Sequence, residues 1–423
     1  MKTFMLGWEF PPYISGGLGT ACFGLTKAMD KLGIKVTFVL PKAGTTHSVG
    51  SVKMLGAEEL YEDAISGQFT NVKFRIIGAS LRPYVSSGSY RHGVANRGAV
   101  SVMSPVQTFC PVNYCGDLLS EVSSYAEKAA KVASIESFDV VHAHDWMTYP
   151  AGQAVSRQSH KPLVVHVHST EFDRSGEHVN QAVYDIERAG MHAASKVIAV
   201  SNFTKNMILR HYGVAAEKVE VVHNAVEYNG SAPQASLDKK DKIVLFLGRI
   251  TMQKGPEYFL AAARKVLQTI DNVKFVMAGS GDMMNRIVEM AAQMGIGGKV
   301  LFTGFLNGAD VDRAYQMADL YVMPSVSEPF GISSLEAMNR NVPVLISKQS
   351  GLAEVVTHAL KVDFWDIDEM ANKMIAVLKR PPLKETLGKN GFHEAHKFKW
   401  EDSAMKVRKI YEQVIVQAQG KED

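Results

Sequence analysis

The sequence is poor in cysteine, in long apolar runs and in any excess of one charge. Only three of its 423 residues are cysteines, Cys22, Cys110 and Cys115, and their spacing gives neither a disulfide framework nor a C-x-x-C metal pattern. No run approaches the roughly 20 apolar residues that span a bilayer, and the apolar stretch before Glu9 is too short for a signal peptide. We therefore expect a cytoplasmic protein without a transmembrane segment.

The balance of basic and acidic residues argues against one class of binding partner, the nucleic acids. The formal net charge is +3, from 46 basic and 43 acidic residues spread evenly along the chain, so we expect no nucleic-acid partner. The chain is too long for one ordinary core, and we therefore expect two domains.

Short apolar runs alternate with helical patterns along most of the chain, which predicts an α/β protein with parallel sheets. A second alternation begins at Ile243, after the polar segment 226–242, which we interpret as a linker. We predict domains over residues 1–228 and 229–398, followed by a helical segment over 399–423.

The region from Thr45 to Tyr114 does not follow this pattern. Its glycine and serine content predicts loops and a β insertion. Because loops carry much of the binding specificity of enzymes, we expect residues 45–113 to select the acceptor.

The most informative segment is Ser327 to Met338, in which Glu328 and Glu336 stand eight positions apart around Gly331. An apolar strand precedes this segment and a helix follows it. Free backbone N–H groups and the positive end of the helix dipole would favour an anion there. The flanking carboxylates could accept hydrogen bonds from hydroxyl groups, so the segment predicts a site for a nucleotide sugar.

Two cations, Arg249 and Lys254, lie among glycines directly after the first strand of the second half. They are placed to bind a diphosphate and to offset the charge of a leaving group. A solvated loop is the alternative. The turn at Gly279 gives a weaker signal of the same kind.

Gly16 and Gly17 belong to a glycine-rich loop between the first strand and the first helix. Glycine there lets the backbone approach a ligand closely. A tight turn without a ligand explains the same residues. The loop is not G-x-G-x-x-G, which disfavours a dinucleotide-binding fold.

Two H-x-H pairs each end an apolar strand: His142 with His144, and His166 with His168. Alternate residues of a strand face the same way, so each pair could share one side. The spacing suits contacts to a ligand, a metal site of a metallohydrolase, or ordinary core histidines. The residues alone leave these three interpretations open.

The segment from Thr170 to Arg174 places Glu171 and Asp173 beside a basic group. These charges could hold sugar hydroxyls, or they could form a local salt bridge.

Taken together, Gly16-Gly17-Leu18-Gly19, His144-Asp145-Trp146, Gly248-Arg249 with Lys254-Gly255, Gly279-Ser280-Gly281 and the E-x7-E segment from Glu328 to Glu336 carry a resemblance. The chain resembles the retaining GT-B glycosyltransferases of the family 4 type over nearly its whole length. The resemblance implies two Rossmann-like domains that face each other across a cleft. It also implies a last helix that crosses back to the N-terminal domain.

The resemblance assigns roles residue by residue. Arg249 and Lys254 would contact the donor diphosphate, Glu328 the transferred sugar and Glu336 the ribose. His144 would lie beside the reacting sugar, and Asp145, Glu171 and Arg174 would contact sugar or acceptor. The remaining donor contacts would come from Gly16, Gly17, Gly279, Phe330, Gly331, Ile332 and Ser333.

The N-terminal half looks most like glycogen and starch synthases, which implies transfer of a hexose, most simply glucose, to an α-glucan. Bacterial synthases of that group typically carry K-x-G-G-L where this chain has Ile14, and this chain keeps the second glutamate. The nucleotide of the donor is therefore left open among ADP, UDP and GDP. A small sugar or a lipid remains an alternative acceptor. We expect no metal and no cofactor besides the donor substrate, and the sequence leaves a homo-oligomer open.

Overall fold

The structure, a computed structural model, describes residues 1–11, 16–41, 68–79, 81, 116–227 and 240–420. Its first part contains seven strands: β1 (Lys2–Leu6), β2 (Lys35–Pro41), β3 (Val72–Ile77), β4 (Val140–His144), β5 (Leu163–Val167), β6 (Lys196–Ala199) and β7 (Val219–Val221). Its helices are α1 (Gly17–Lys31), α2 (Gly116–Ala133), α3 (Tyr149–Ser159), α4 (Glu171–Ser175), α5 (Gln181–Ala193) and α6 (Asn202–Met207), the last continued by a π-helical turn over Ile208–Tyr212.

The second part contains six strands: β8 (Lys242–Leu247), β9 (Val273–Ala278), β10 (Val300–Gly304), β11 (Leu320–Met323), β12 (Val344–Ser347) and β13 (Leu360–Val362). Its helices are α7 (Pro256–Leu267), α8 (Met284–Gln293), α9 (Gly308–Met317), α10 (Ile332–Met338), α11 (Ile367–Lys379), α12 (Pro381–Ala395) and α13 (Trp400–Gln419).

Both sheets are parallel. The first has the strand order β3-β2-β1-β4-β5-β6-β7 and the second the order β10-β9-β8-β11-β12-β13. Their strands are short and mostly apolar because helices cover both faces of each sheet. This is the α/β arrangement of two Rossmann-like domains that the sequence predicts, and the prediction is confirmed.

Side chains along β4 point alternately to the two faces of the first sheet, so the core of the first domain has two layers. Val141 and Ala143 pack beneath α2, α3 and α5. Val140 belongs to the opposite face, which α1 and α13 cover. His142 and His144 follow Val140 at every second position, so they lie on the face of α1 and α13.

The last helix packs on the first domain although it follows the second domain in the chain. Trp400 and Tyr411 are buried against α1 and the first sheet. The Lys31 ammonium also lies 2.6 Å from a Glu401 carboxylate oxygen. The predicted return of this helix to the N-terminal domain is confirmed.

Some predictions fall outside the described residues. These include Ile14, the interior of the linker with the boundary at 228/229, and most of residues 45–113. Inside that last region the structure adds β3, which pairs in parallel with β2 and which the sequence analysis did not identify. In the described chain, no helix combines the length and the apolar character that crossing a bilayer requires.

Gly24 lies in the middle of α1, where an added Cβ atom would come within 2.3 Å of the Trp400 indole. Alanine normally stabilises a helix relative to glycine. We nevertheless expect Gly24→Ala to lower the free energy of unfolding by about 1–3 kcal/mol, because the indole must move. Urea denaturation tests this. Gly298→Ala, where a Cβ meets nothing within 4 Å, is the control, and equal stability of both variants would contradict the packing argument.

Candidate active site

An ion pair links two loops at the carboxyl edge of the second sheet. Lys254 ends a 3-10 turn that follows β8, and Glu328 lies in the loop after β11. The Lys254 Nζ atom is 2.5 Å from Glu328 Oε2, and the Ser325 hydroxyl donates to the same oxygen at 3.2 Å. The two side chains are 20% and 9% exposed. The sequence predicted both residues for the site but not their direct contact.

Arg249 lies beside this pair, two residues after the end of β8. Its guanidinium donates to the Gln253 side-chain oxygen at 3.0 Å. Burial raises the pKa of the nearby Asp282 carboxyl, and the positive charge of Arg249 acts against that rise. A second cation therefore borders the edge where Lys254 lies.

The glycines of the turn at Gly279, which follows β9, have a packing role. Gly279 has φ of +141°, and a Cβ atom there would lie 1.8 Å from the carbonyl oxygen of Gly248. A Cβ on Gly281 would lie 2.3 Å from the carbonyl oxygen of Ile250. The two loops thus pack backbone to backbone beside Arg249. The donor contact of Gly279 stays a prediction.

Gly331 opens α10 with φ of +111°, a conformation that side chains disfavour. The N–H groups of the first helical turn, including those of Ile332 and Ser333, have no carbonyl partner within the helix. Phe330 is 2% exposed and fixes the turn in the core. The donor contacts of Phe330, Gly331, Ile332 and Ser333 stay predictions.

Glu336 lies one helical turn further along α10. One of its carboxylate oxygens is 3.0 Å from the Tyr315 hydroxyl. Burial raises the pKa of the Glu336 carboxyl, while Arg340 and the tyrosine hydroxyl act against the rise. Tyr315 is a positioning residue that the sequence analysis missed, because nothing in its local pattern connects it with Glu336.

The described part of the first glycine loop includes Gly16 and Gly17, while residues 12–15 lie outside the description. A Cβ atom on either glycine would meet nothing within 4 Å. Glu9 accepts a hydrogen bond of 3.1 Å from the backbone N–H of Gly19. A buried carboxylate therefore already accepts a hydrogen bond from the N-terminal turn of α1. The donor contacts of the two glycines stay predictions.

His144 ends β4 and is fully buried. Its Nδ1 atom is 2.9 Å from His168 Nε2, whereas its Nε2 atom is buried without a hydrogen-bond partner. Burial lowers the pKa of His144 to about 3, so the ring is neutral. A contact with the reacting sugar, as the resemblance implies, requires this ring to become exposed and stays a prediction.

Asp145, the next residue, has φ of +59°, which is strained for a non-glycine residue. One of its carboxylate oxygens accepts a hydrogen bond of 2.7 Å from the backbone N–H of His168. Burial raises the pKa of Asp145 to about 7, against the effect of that hydrogen bond and of Arg174. The side chain joins the loops after β4 and β5, and its predicted sugar contact is untested.

Glu171 and Arg174 form an internal network. Glu171 is fully buried, with one carboxylate oxygen 3.0 Å from Arg174 Nε. Its other oxygen accepts hydrogen bonds from Ser175 and from the backbone of Asn180. The Arg174 guanidinium also pairs with Glu187 at 2.5 Å. Of the two interpretations, the structure therefore shows the salt bridge. The sugar contacts of both residues, as the resemblance implies them, stay predictions.

Contacts between the domains bring the two halves of the site together. The Ser327 hydroxyl is 2.5 Å from an Asp173 carboxylate oxygen. Across the same boundary, the Ser201 hydroxyl donates to the carbonyl of Pro329 at 2.6 Å. Glu354 accepts a hydrogen bond of 2.8 Å from the backbone N–H of Asn202 at the start of α6. Since these partners lie more than 100 positions apart, no local sequence pattern could have paired them.

Two protein-family models match this chain. The family model described as "Glycosyl transferases group 1" matches residues 231–394, and the model described as "Glycosyltransferase Family 4" matches residues 106–229. The first match contains Arg249, Lys254, Glu328 and Glu336, and the second contains His144.

Several relatives match most of the chain. An uncharacterized glycosyltransferase of Methanocaldococcus jannaschii is 29% identical over 97% of this chain and 98% of its own length. A glycogen synthase of Mycobacterium tuberculosis is 24% identical over 84% of this chain and 80% of its own. A D-inositol 3-phosphate glycosyltransferase of Segniliparus rotundus is 25% identical over 63% and 64%, respectively.

Solved structures support the fold. A sucrose-phosphate synthase from Thermosynechococcus elongatus has a TM-score of 0.75 at 20% identity, with 98% of this chain and 99% of the other covered. HepE of Anabaena, solved in complex with UDP-glucose, has a TM-score of 0.70 at 18% identity, with 98% and 100% covered.

The raised pKa of Asp145 predicts a dependence of stability on pH. Between the ordinary value of 3.8 and about 7, the folded chain keeps a proton that the unfolded chain releases. The contribution of this group to the free energy of unfolding therefore falls as pH rises through that window. In Asp145→Asn the contribution is absent, so the variant should gain stability relative to the parent between pH 4.5 and 7.5. Urea midpoints at both pH values test this, and parallel pH profiles would contradict it.

Proposed function

Because this chain belongs to the group 1 glycosyltransferases of the GT-B fold, we propose that it moves a hexose, most simply glucose, from a nucleotide sugar to an α-glucan with retention of anomeric configuration. The observation that carries this proposal is the Lys254–Glu328 ion pair beside Arg249 and the start of α10. These groups combine positive charge for a diphosphate with a carboxylate for sugar hydroxyls.

The proposed chemistry follows from where charge develops. Breaking the bond between sugar and diphosphate gives an oxocarbenium-like sugar and a leaving group with new negative charge. Arg249, Lys254 and the free N–H groups at the start of α10 would stabilise that charge. No residue is assigned as a general base, because the leaving phosphate can itself accept the proton of the acceptor hydroxyl.

A phosphate that enters this edge would replace Glu328 as a partner of Lys254. The carboxylate would then be available to hydroxyl groups of the transferred sugar. Glu336, held by Tyr315, would accept hydrogen bonds from the ribose. One ion pair would thereby serve both the diphosphate and the sugar.

The relatives support two classes of acceptor. Similarity to a glycogen synthase over 84% of the chain favours an α-glucan. Similarity to a D-inositol 3-phosphate glycosyltransferase, over 63% of the chain, favours a small phosphorylated polyol as the second candidate. Release of nucleotide from ADP-, UDP- and GDP-glucose, measured with glycogen and then with inositol phosphate, decides between them. Nucleotide binding without turnover on any acceptor would indicate a sugar-binding protein instead.

We expect Lys254→Ala to lower kcat by about 10²–10³-fold, the cost of removing one preorganised contact to developing negative charge. The variant loses the cation that offsets the leaving diphosphate. Steady-state kinetics with the preferred donor measure the effect. Lys389→Ala, which removes the lysine of an exposed pair with Glu385, is the control and should keep full activity. Turnover of Lys254→Ala close to that of the control would refute the assignment.

We expect transfer to continue in the presence of EDTA, since the proposed stabilisation of the leaving group comes from side chains and backbone N–H groups. Product formation is measured before and after incubation with the chelator. Loss of activity that Mg²⁺ or Mn²⁺ restores would contradict the proposal. Metal-dependent hydrolysis without transfer would favour the metallohydrolase alternative.

A further inference from the structure

Hydrogen bonds from the first domain hold the loop that carries Glu328. On one side of Glu328, the Ser327 hydroxyl is 2.5 Å from an Asp173 carboxylate oxygen. On the other side, the Ser201 hydroxyl donates to the carbonyl of Pro329 at 2.6 Å. The residues immediately before and after Glu328 are therefore both bound to the first domain, although Glu328 itself belongs to the second.

A capping box at the start of α4 fixes the orientation of Asp173, which is 1% exposed. One of its carboxylate oxygens, Oδ2, accepts hydrogen bonds of 2.7 and 2.8 Å from the backbone N–H and the hydroxyl of Thr170. The other oxygen, Oδ1, is the one that lies against Ser327. Because hydrogen bonds to an ionised carboxylate are stronger than those between neutral groups, Asp173 can hold Ser327 in one position.

The second contact comes from the start of α6, where Ser201 and Thr204 are both fully buried. Ser201 is the N-cap of this helix and accepts a hydrogen bond of 2.9 Å from the backbone N–H of Thr204. The Thr204 hydroxyl also lies 3.3 Å from the Pro329 carbonyl oxygen. A Cβ atom on Gly351 would come within 2.2 Å of that oxygen and 2.6 Å of the Ser201 hydroxyl. The two domains are thus closely packed at this point.

Both contacts come from the carboxyl edge of the first sheet. Asp173 belongs to the segment after β5, and Ser201 follows β6. Ser327 follows β11 at the carboxyl edge of the second sheet. The two edges where ligands of parallel sheets collect therefore meet at the loop of Glu328.

The position of this loop matters because of how the Glu328 carboxylate is used. In the described structure both of its hydrogen bonds, from Lys254 and from Ser325, go to Oε2. Oε1 is left for a hydroxyl group of a ligand. A hydrogen bond weakens steeply when its distance or angle departs from the preferred range, so such a contact requires a fixed loop.

We propose that Asp173 and Ser201 are positioning residues. By holding Ser327 and Pro329, they would place Glu328 where it meets the hydroxyl groups of the transferred sugar. This inference rests on the proposed function, in which Glu328 contacts that sugar. It adds that residues of the first domain control sugar recognition by the second.

The proposal separates recognition of the sugar from recognition of the nucleotide. Arg249 and Lys254, which would contact the diphosphate, follow β8, whereas Glu328 lies in the loop after β11. Loss of a contact at this loop should therefore weaken binding of a nucleotide sugar more than binding of the nucleotide alone. A variant that only destabilises the fold would weaken both to the same extent.

The test compares these two affinities by titration calorimetry. The full-length chain is titrated with ADP, UDP and GDP and with ADP-, UDP- and GDP-glucose, and the pair that binds most tightly is used for the variants. We expect Ser327→Ala and Ser201→Ala to raise the Kd of the nucleotide sugar at least about fivefold, with less than about a twofold change for the nucleotide. Ser327→Thr keeps the hydroxyl and should restore the wild-type Kd.

Two further variants separate positioning from stability. Asn180→Ala is the matched control, because it removes the N-cap side chain of α5, whose hydrogen bonds stay within the first domain. It should leave both Kd values unchanged. The double variant Asp173→Ala with Ser327→Ala should bind the nucleotide sugar no more weakly than Asp173→Ala alone, because both substitutions remove the same hydrogen bond.

An unchanged Kd of the nucleotide sugar in Ser327→Ala would overturn the inference and leave the proposed function in place. Equal weakening of both ligands, or additive effects in the double variant, would also overturn it. Ser327 is half-buried, so its alanine variant should fold and decides the question even if Ser201→Ala does not. A wild-type chain that binds none of the six ligands would overturn the proposed function, and this inference with it.

Discussion

The parallel direction of all strands is the constraint on which the candidate site depends. Because every strand in a sheet ends at the same edge, residues that follow different strands meet there. Lys254 and Glu328 lie 74 positions apart in the chain and form a mostly buried ion pair at that edge. Removing one partner of such a pair leaves an uncompensated charge, which is strongly destabilising. The charges of Lys254 and Glu328 therefore compensate each other until a charged ligand takes the place of one of the two partners.

Much of this architecture could be predicted from the sequence because buried parallel strands are nearly continuous apolar runs. Most of the strands are of this kind, and the residues directly after them supplied the candidate site. β3 escaped prediction for a physical reason. Its sequence, VKFRII, places Lys73 and Arg75 between apolar residues at the edge of the sheet, within a region rich in glycine and serine. An edge strand with one polar side lacks the continuous apolar run that identified the others.

Side-chain partners were harder to predict than strands. The charges of Glu171 and Arg174 suited both a sugar and a salt bridge, and the salt bridges of Arg174 with Glu171 and with the distant Glu187 became visible only in the structure. The alternation of the H-x-H pairs predicted that each pair shares one side. It could not show that both pairs face the same way, nor that Tyr411, 269 positions after His142, covers them. Such contacts depend on the tertiary packing of segments that are distant in the chain, and local periodicity carries no information about that packing.

The return of α13 to the first sheet has a consequence for how the chain is made. Domains generally fold in order as they leave the ribosome, the N-terminal one first. Here the first domain obtains one layer of its core, including Trp400 and Tyr411, from residues that are synthesised after the second domain. During translation that apolar face has no cover, although most of the domain has already emerged. The nascent first domain thus completes its packing only after the second domain has been synthesised, and chains interrupted before Trp400 expose an apolar surface that chaperones and proteases can bind.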